Sequence, residues 1–199
     1  MKAQLFLHLL TGTLLCGILC ACNTAPVGVT RYDFGAAVAA HPAAACKLPP
    51  LYIADIISSA ALDNDFIQYR LLYTNDQQAR MYASHRWSMP PAQLLGQRLK
   101  SQLADQHVLL LDAGMSNPDG VQLHLDLDDF GHYFSDPQHS YFQVKLRASL
   151  LRSHKLIAQT TFSEQASATG ADAPAGVQAM RTASDTLIAA MTAWLCQQQ

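Results

Sequence analysis

Between Val121 and Asp128 the chain alternates strictly: Val121, Leu123, Leu125 and Leu127 are apolar, and Gln122, His124, Asp126 and Asp128 between them are polar. Successive side chains of a strand point to opposite faces, so this period of two dictates a strand with one buried face and one wet face. Something must cover the apolar side. Two further runs follow, Tyr141 to Leu151 and Lys155 to Phe162, joined by the short polar turn Arg152-Ser153-His154, and they read as a hairpin. The covering layer is read from two helical stretches. Pro90-Pro91 opens the first, since proline is tolerated in a first helical turn. Leu94, Leu95, Leu99 and Leu103 recur there at helical spacing, which leaves Gln97, Arg98, Lys100 and Gln102 toward water. The second runs from Val177 to Cys196, after a flexible loop from Gly170 to Gly176, and carries Val177, Met180, Leu187, Met191 and Leu195.

Upstream, Leu51 to Ile57 follows Pro49-Pro50 as a short β-branched strand, and Phe66 to Tyr73 reads as another. Asn75-Asp76 marks a turn, after which Arg80-Met81-Tyr82-Ala83 pairs back as a hairpin. Val108 to Leu111 reads as a buried strand, and Asn117-Pro118-Asp119-Gly120 as a turn. The expectation is one α+β domain over residues 48–199, a largely antiparallel sheet with two helices packed on it.

The amino-terminal end is of another kind. Lys2 begins it, Leu5 to Leu19 forms an apolar core, and Ala21 supplies a small residue before Cys22. This looks like a lipoprotein signal over residues 1–21, with Cys22 carrying a diacylglycerol and an N-acyl chain. An uncleaved anchor is the competing reading, interrupted by Gln4 and His8 and followed by no Lys/Arg cluster; an ordinary secretory signal is another. Asn23, where an aspartate would favour inner-membrane retention, points to the outer membrane. Residues 22–47 are rich in Ala, Pro, Thr and Val and read as a tether, with Tyr32-Asp33-Phe34-Gly35 placed to dock two aromatics on the domain.

Thirteen Lys and Arg against fifteen Asp and Glu leave a net charge of -2, which argues against a nucleic-acid partner. Half the residues are apolar, unlike a disordered chain. With Cys22 lipidated, Cys46 and Cys196 remain in the mature chain. In an oxidising compartment they form a natural bridge; the alternative is two unpaired thiols, one packed in the core.

Chemistry is sparse. His124, Asp126, Asp128 and nearby His132 offer potential ligands, but a wet strand face produces such a set without metal, and the spacing is not that of a zinc or calcium site. Ser116 lacks the second glycine of a nucleophile elbow, and neither a phosphate-cradling loop nor a dinucleotide fingerprint is present. No enzyme, metal or cofactor is expected. Tyr69, Tyr73, Tyr82 and Trp87 interleave with Arg70, Arg80 and Arg86. That mixture is enriched at protein interfaces, and it also describes a core edge with stacked arginines.

The run from Ile67-Gln68-Tyr69-Arg70 through Met81-Tyr82-Ala83 to Arg86-Trp87-Ser88-Met89-Pro90-Pro91 and Leu94-Leu95, with Cys22 and Tyr32-Asp33-Phe34-Gly35 ahead of it, resembles the PqiC-like auxiliary lipoproteins of ABC-type lipid transport systems. Cys46, Cys196 and the segment from Asp126 to His139 lie outside that pattern. The resemblance implies a non-enzymatic lipoprotein at the periplasmic face of the outer membrane, partnered by an MCE-domain protein that bridges the periplasm. Tyr69, Arg70, Tyr82, Arg86 and Trp87 are then the candidate partner interface, and self-association remains open. The alternatives are a periplasmic lipid carrier and a general envelope-assembly lipoprotein.

Overall fold

The computed structural model describes residues 28–36, 46–111 and 120–198. Cys22, Ser116, most of the tether and the turn at 117–119 lie outside the described residues. Eleven elements follow in order: β1 (Thr30–Tyr32), β2 (Leu51–Ile53), β3 (Ile57–Ser58), β4 (Phe66–Leu71), β5 (Asn75–Trp87), α1 (Pro91–Asp105), β6 (Leu110–Leu111), β7 (Val121–Phe134), β8 (Ser140–Arg152), β9 (Lys155–Ser167) and α2 (Ala173–Gln197).

The alternating segment becomes β7, the strand on which the others are organised. Along one side it pairs antiparallel with β8, which pairs antiparallel with β9. Ser153 and His154 turn the β8–β9 hairpin with φ of 48° and 62°, the left-handed pair that suits strand twist in a two-residue turn. Along its other side β7 is flanked successively by β2, β3 and β4, three short pieces of one interrupted strand, all parallel to it. The sheet is therefore mixed rather than largely antiparallel. β5 runs antiparallel to β4 and so to β7 as well; the chain passes from β5 through α1 to β7 without pairing the two, and β7 takes its place beside β4 on the side away from β5, running in the same direction as β4. Interruption also explains why the expected strand from Leu51 to Ile57 is split. Beyond β4 lies antiparallel β5, which begins at Asn75, where a turn was expected; the turn is one step earlier, at 72–74. β6 is only two residues at an edge beside β2, and Leu109 is exposed, so the expected buried strand there is not formed.

Both helices cover one face. Leu123, Leu125 and Leu127 of β7, Val144, Leu146 and Ala148 of β8, Leu95, Leu99 and Leu103 of α1, and Met180, Leu187, Ile188 and Met191 of α2 form one core. α2 starts earlier than expected, because the Asp172 carboxylate accepts a 2.8 Å bond from the Ala175 N–H and Pro174 sits in the first turn. Arg98 and Gln102, expected in water, are buried. The Arg98 guanidinium donates through Nε and Nη2 to the two oxygens of Asp185, 2.8 Å each, and Gln102 Nε2 donates to Asp185 at 2.7 Å. One carboxylate thus fastens α1 to α2.

The folded body takes in Thr30 to Gly35, ahead of residue 48. β1 pairs parallel with the last three residues of β5, Arg31 bridges to Asp65 at 2.8 Å, and Phe34 is buried beneath Arg98. Cys46 and Cys196 are joined, their Cα atoms 5.9 Å apart, tying the approach to β2 to the end of α2.

Candidate functional site

The aromatic and arginine cluster lies where β4 and β5 meet the end of β7. Two register shifts in the β4–β5 pairing twist the hairpin and spread its side chains over both faces. Tyr69 of β4 and Tyr82 of β5 lie with ring centroids 4.6 Å apart, and Tyr69 meets Phe134 edge-on at 5.9 Å. The Tyr82 hydroxyl shares a 2.9 Å hydrogen bond with Nδ1 of His132, whose ring is covered by Phe134 and Phe142. Gly176 in the first turn of α2 makes that fit possible, since a Cβ there would stand 2.4 Å from Nδ1. His132 Nε2 is buried and has no protein partner.

Burial decides the protonation of this pair. It lowers the His132 pKa to about 4 against the opposing pull of Asp172, and it raises the Tyr82 phenol well above its ordinary value, with Tyr69 and Asp172 adding to the rise. Near neutral pH the imidazole is uncharged and the phenol protonated, so the pair neither takes nor gives a proton readily. It holds β5 to β7.

Of the other expected interface residues, Arg70 donates to the Asp76 carbonyl across the hairpin at 3.1 Å. Together with Tyr69, Asp129 and Tyr133 it borders a depression of about 150 Å3. Tyr133 donates to both oxygens of Asp129 at 2.8 Å, and burial followed by that carboxylate raises its pKa. Arg86 lies over the Phe66 ring at 4.4 Å and donates to the carbonyls of Tyr82 and His85, so its guanidinium clamps its own hairpin. Trp87 is 1% exposed, packed edge-on against Phe130 and Phe142 at 5.5 and 6.2 Å. It belongs to the core and cannot touch a partner; the residue ends β5 where the strand passes under the helices. Tyr73 and Met81, on the same hairpin, are instead well exposed.

The possible ligand set on β7 is divided. A bulge between Leu127 and Asp129 reverses the alternation, so His124 and Asp126 face the open side while His132 points to the helices. Asp126 pairs with Arg147 at 3.3 Å. Among the described residues, no three His, Cys, Asp or Glu are grouped to hold a metal.

A second concavity, about 520 Å3, runs between residues 54–63 and the first half of α1, with Ile56, Gln93 and Gly96 on its walls and Asp55, Asp63 and Lys100 at its rim. Sequence reasoning missed it, because it forms only where a loop between β2 and β3 stands off the helix. It also missed Asp185, although a lone carboxylate among the apolar residues of a helix asks for a buried partner.

A family model described as "ABC-type transport auxiliary lipoprotein component" matches residues 32–192. Among solved structures, a Xanthomonas campestris protein assigned to family-model DUF330 is similar at 19% identity, over 85% of this chain and 96% of that one, with a TM-score of 0.75. An uncharacterized protein is similar at 15% identity, over 84% and 99% of the two chains, with a TM-score of 0.63. At such identities these likenesses concern the fold. No curated protein matches the chain.

Proposed function

The chain belongs to the ABC-type transport auxiliary lipoprotein family, and from that premise we propose that it is a non-catalytic docking module for the periplasm-bridging MCE-domain protein of a lipid transport system. Acyl chains on Cys22, with no other cofactor, hold it at the periplasmic face of the outer membrane. Each buried methylene contributes about 0.8 kcal/mol, so several chains anchor stably. Confinement at the membrane raises the effective concentration of the domain before its partner, and a modest affinity suffices.

The observation that carries this reading, beyond the family, is the state of the aromatic cluster. His132 is hydrogen-bonded to Tyr82 and Tyr133 to Asp129, and burial keeps the imidazole uncharged and the two phenols protonated near neutral pH, while Tyr73 and Met81 stand exposed on the same hairpin as Arg70. Such a surface suits binding rather than turnover. Docking falls on the β4–β5 hairpin, with Tyr69, Tyr82 and Arg86 bracing it from behind and Trp87 anchoring it in the core.

The test is co-purification of the full-length lipoprotein with an MCE-domain protein. Replacing Arg70 and Tyr73 together by alanine should weaken recovery by about tenfold or more, as for hot-spot arginines and tyrosines, with the melting temperature unchanged. Undiminished recovery would place docking elsewhere. Phospholipid released on extracting the purified protein would favour a carrier instead, with the groove beside Ile56 as its site.

A further inference from the structure

β9 is a bare edge. It pairs with β8 alone, and among the described residues nothing pairs its outer side along Lys155–Ser167. From Ala158 to Ser167 the pairing with β8 runs without a register shift. The strand contains neither proline nor glycine, and its only charges are Lys155 and Glu164. Proteins ordinarily blunt such edges with charges, prolines, bulges or cover, because an open row of N–H and C=O groups recruits another strand.

The helix above it is equally unusual. α2 has two charged residues, and both are engaged within the domain: Asp185 with Arg98 and Gln102, and Arg181 with the Ala36 carbonyl at 2.9 Å. Its outer face, through Gln178, Thr182, Thr186, Ala189 and Ala193, therefore carries no charge. The Thr182 and Thr186 hydroxyls donate back to the carbonyls four residues earlier, at 3.2 and 3.0 Å, so each already has a partner for its proton if water is removed.

We infer that the outer edge of β9 pairs with β9 of a second copy of this chain, antiparallel about a two-fold axis near Thr161, making one continuous sheet with the two α2 helices side by side. Three features favour a second copy as occupant. Pairing about Thr161 sets Glu164 opposite Ala158 and Lys155 opposite Ser167, so no like charges meet. α2 packs on both β8 and β9, so joining two β9 edges about 4.8 Å apart brings the two α2 helices next to each other on the same face of the sheet. Trp194, half-buried against Phe162 at 5.9 Å, stands beside the junction. Lipid anchoring of both copies in one leaflet would favour the encounter.

The experiment uses the full-length lipidated protein in detergent, weighed by sedimentation equilibrium. The expected result is a dimer. Thr161→Lys places two ammonium groups at the axis on an exposed face and should raise the dissociation constant by about tenfold or more. Mixing Thr161→Lys with Thr161→Glu should restore dimers, which no folding defect can imitate. A wild-type monomer at micromolar concentration, a dimer indifferent to Thr161→Lys, or a mixture that stays monomeric would each overturn the pairing. So would stoichiometric capture of a different protein's strand by an otherwise monomeric chain.

Discussion

At one end of the sheet β5 is covered over its last three residues by β1, shifted twice in register against β4, and set with Arg80 and Arg86. At the other, β9 runs thirteen residues, without a register shift from Ala158 on, nearly uncharged and, among the described residues, uncovered. Both are edges of the same sheet, yet only the first carries the devices that stop a strand from recruiting another. Protection at the β5 end is compatible with display: twist and arginines keep strands away while the hairpin presents Tyr73 and Met81. Lack of protection at the β9 end is tolerable in an exported protein only if the edge is filled. The contrast also runs inward. The β5 end is fastened by buried contacts, whereas the β9 end rests on the helix through one face and offers the other side to solvent.

The largest effects belong to the covalent tie between the approach to β2 and the end of α2, and then to the buried contacts of the β5 end. Reducing the Cys46–Cys196 bridge opens a loop of 150 residues and should lower stability by about 4–5 kcal/mol on the chain-entropy account, read as the shift in urea midpoint with and without reductant. Two titratable thiols in unfolded, unreduced protein would refute the bridge itself. Trp87→Ala removes a side chain packed on Phe130 and Phe142 and should cost about 4 kcal/mol. Calorimetry would register it as a large fall in melting temperature. A small effect would return Trp87 to the surface.

Acid should act on the β5 end next. The His132 pKa is depressed in the fold, from 6.5 to about 4, so between those values the unfolded chain binds the proton the folded chain refuses. Its contribution is complete above pH 6.5 and is lost as pH falls toward 4, on the order of 3 kcal/mol. His132→Phe should flatten that part of the stability-pH curve in denaturant titrations; an unchanged slope would mean that the imidazole is charged in the fold. The smallest effect belongs to β9. Thr161→Lys should alter the stability of the monomer by no more than about 0.5 kcal/mol while weakening self-association about tenfold or more, so a large loss of stability there would erase the distinction between the two edges.

Much of this was legible in advance because it depends on local pattern. The alternation around Leu123 and Leu125 announced β7, the turn at Ser153-His154 announced the β8–β9 hairpin, and Pro90-Pro91 announced α1. The start of α2 was written in Asp172 and Pro174, a cap and a first-turn proline, and was obscured by the glycines on either side. Of the site, Tyr69, Arg70 and Tyr82 do gather, while Trp87 looked identical in sequence to an interface tryptophan and is core. Nothing local separates those two uses of an aromatic residue, because both depend on what stands opposite.

By itself the sequence determined the strand around Leu123 and Leu125, the β8–β9 hairpin and the two helices packed on a sheet, and that the chain resembles the auxiliary lipoproteins. Each follows from side-chain periodicity or from a contiguous run of residues. Only the tertiary structure decided that β2, β3 and β4 lie parallel to β7, that a bulge turns His132 inward onto Tyr82, that Asp185 claims Arg98, and that no strand among the described residues pairs the outer side of β9. These depend on pairings across tens of residues, where strand direction, register and partner are set by how the whole core closes rather than by the residues at either side of the contact.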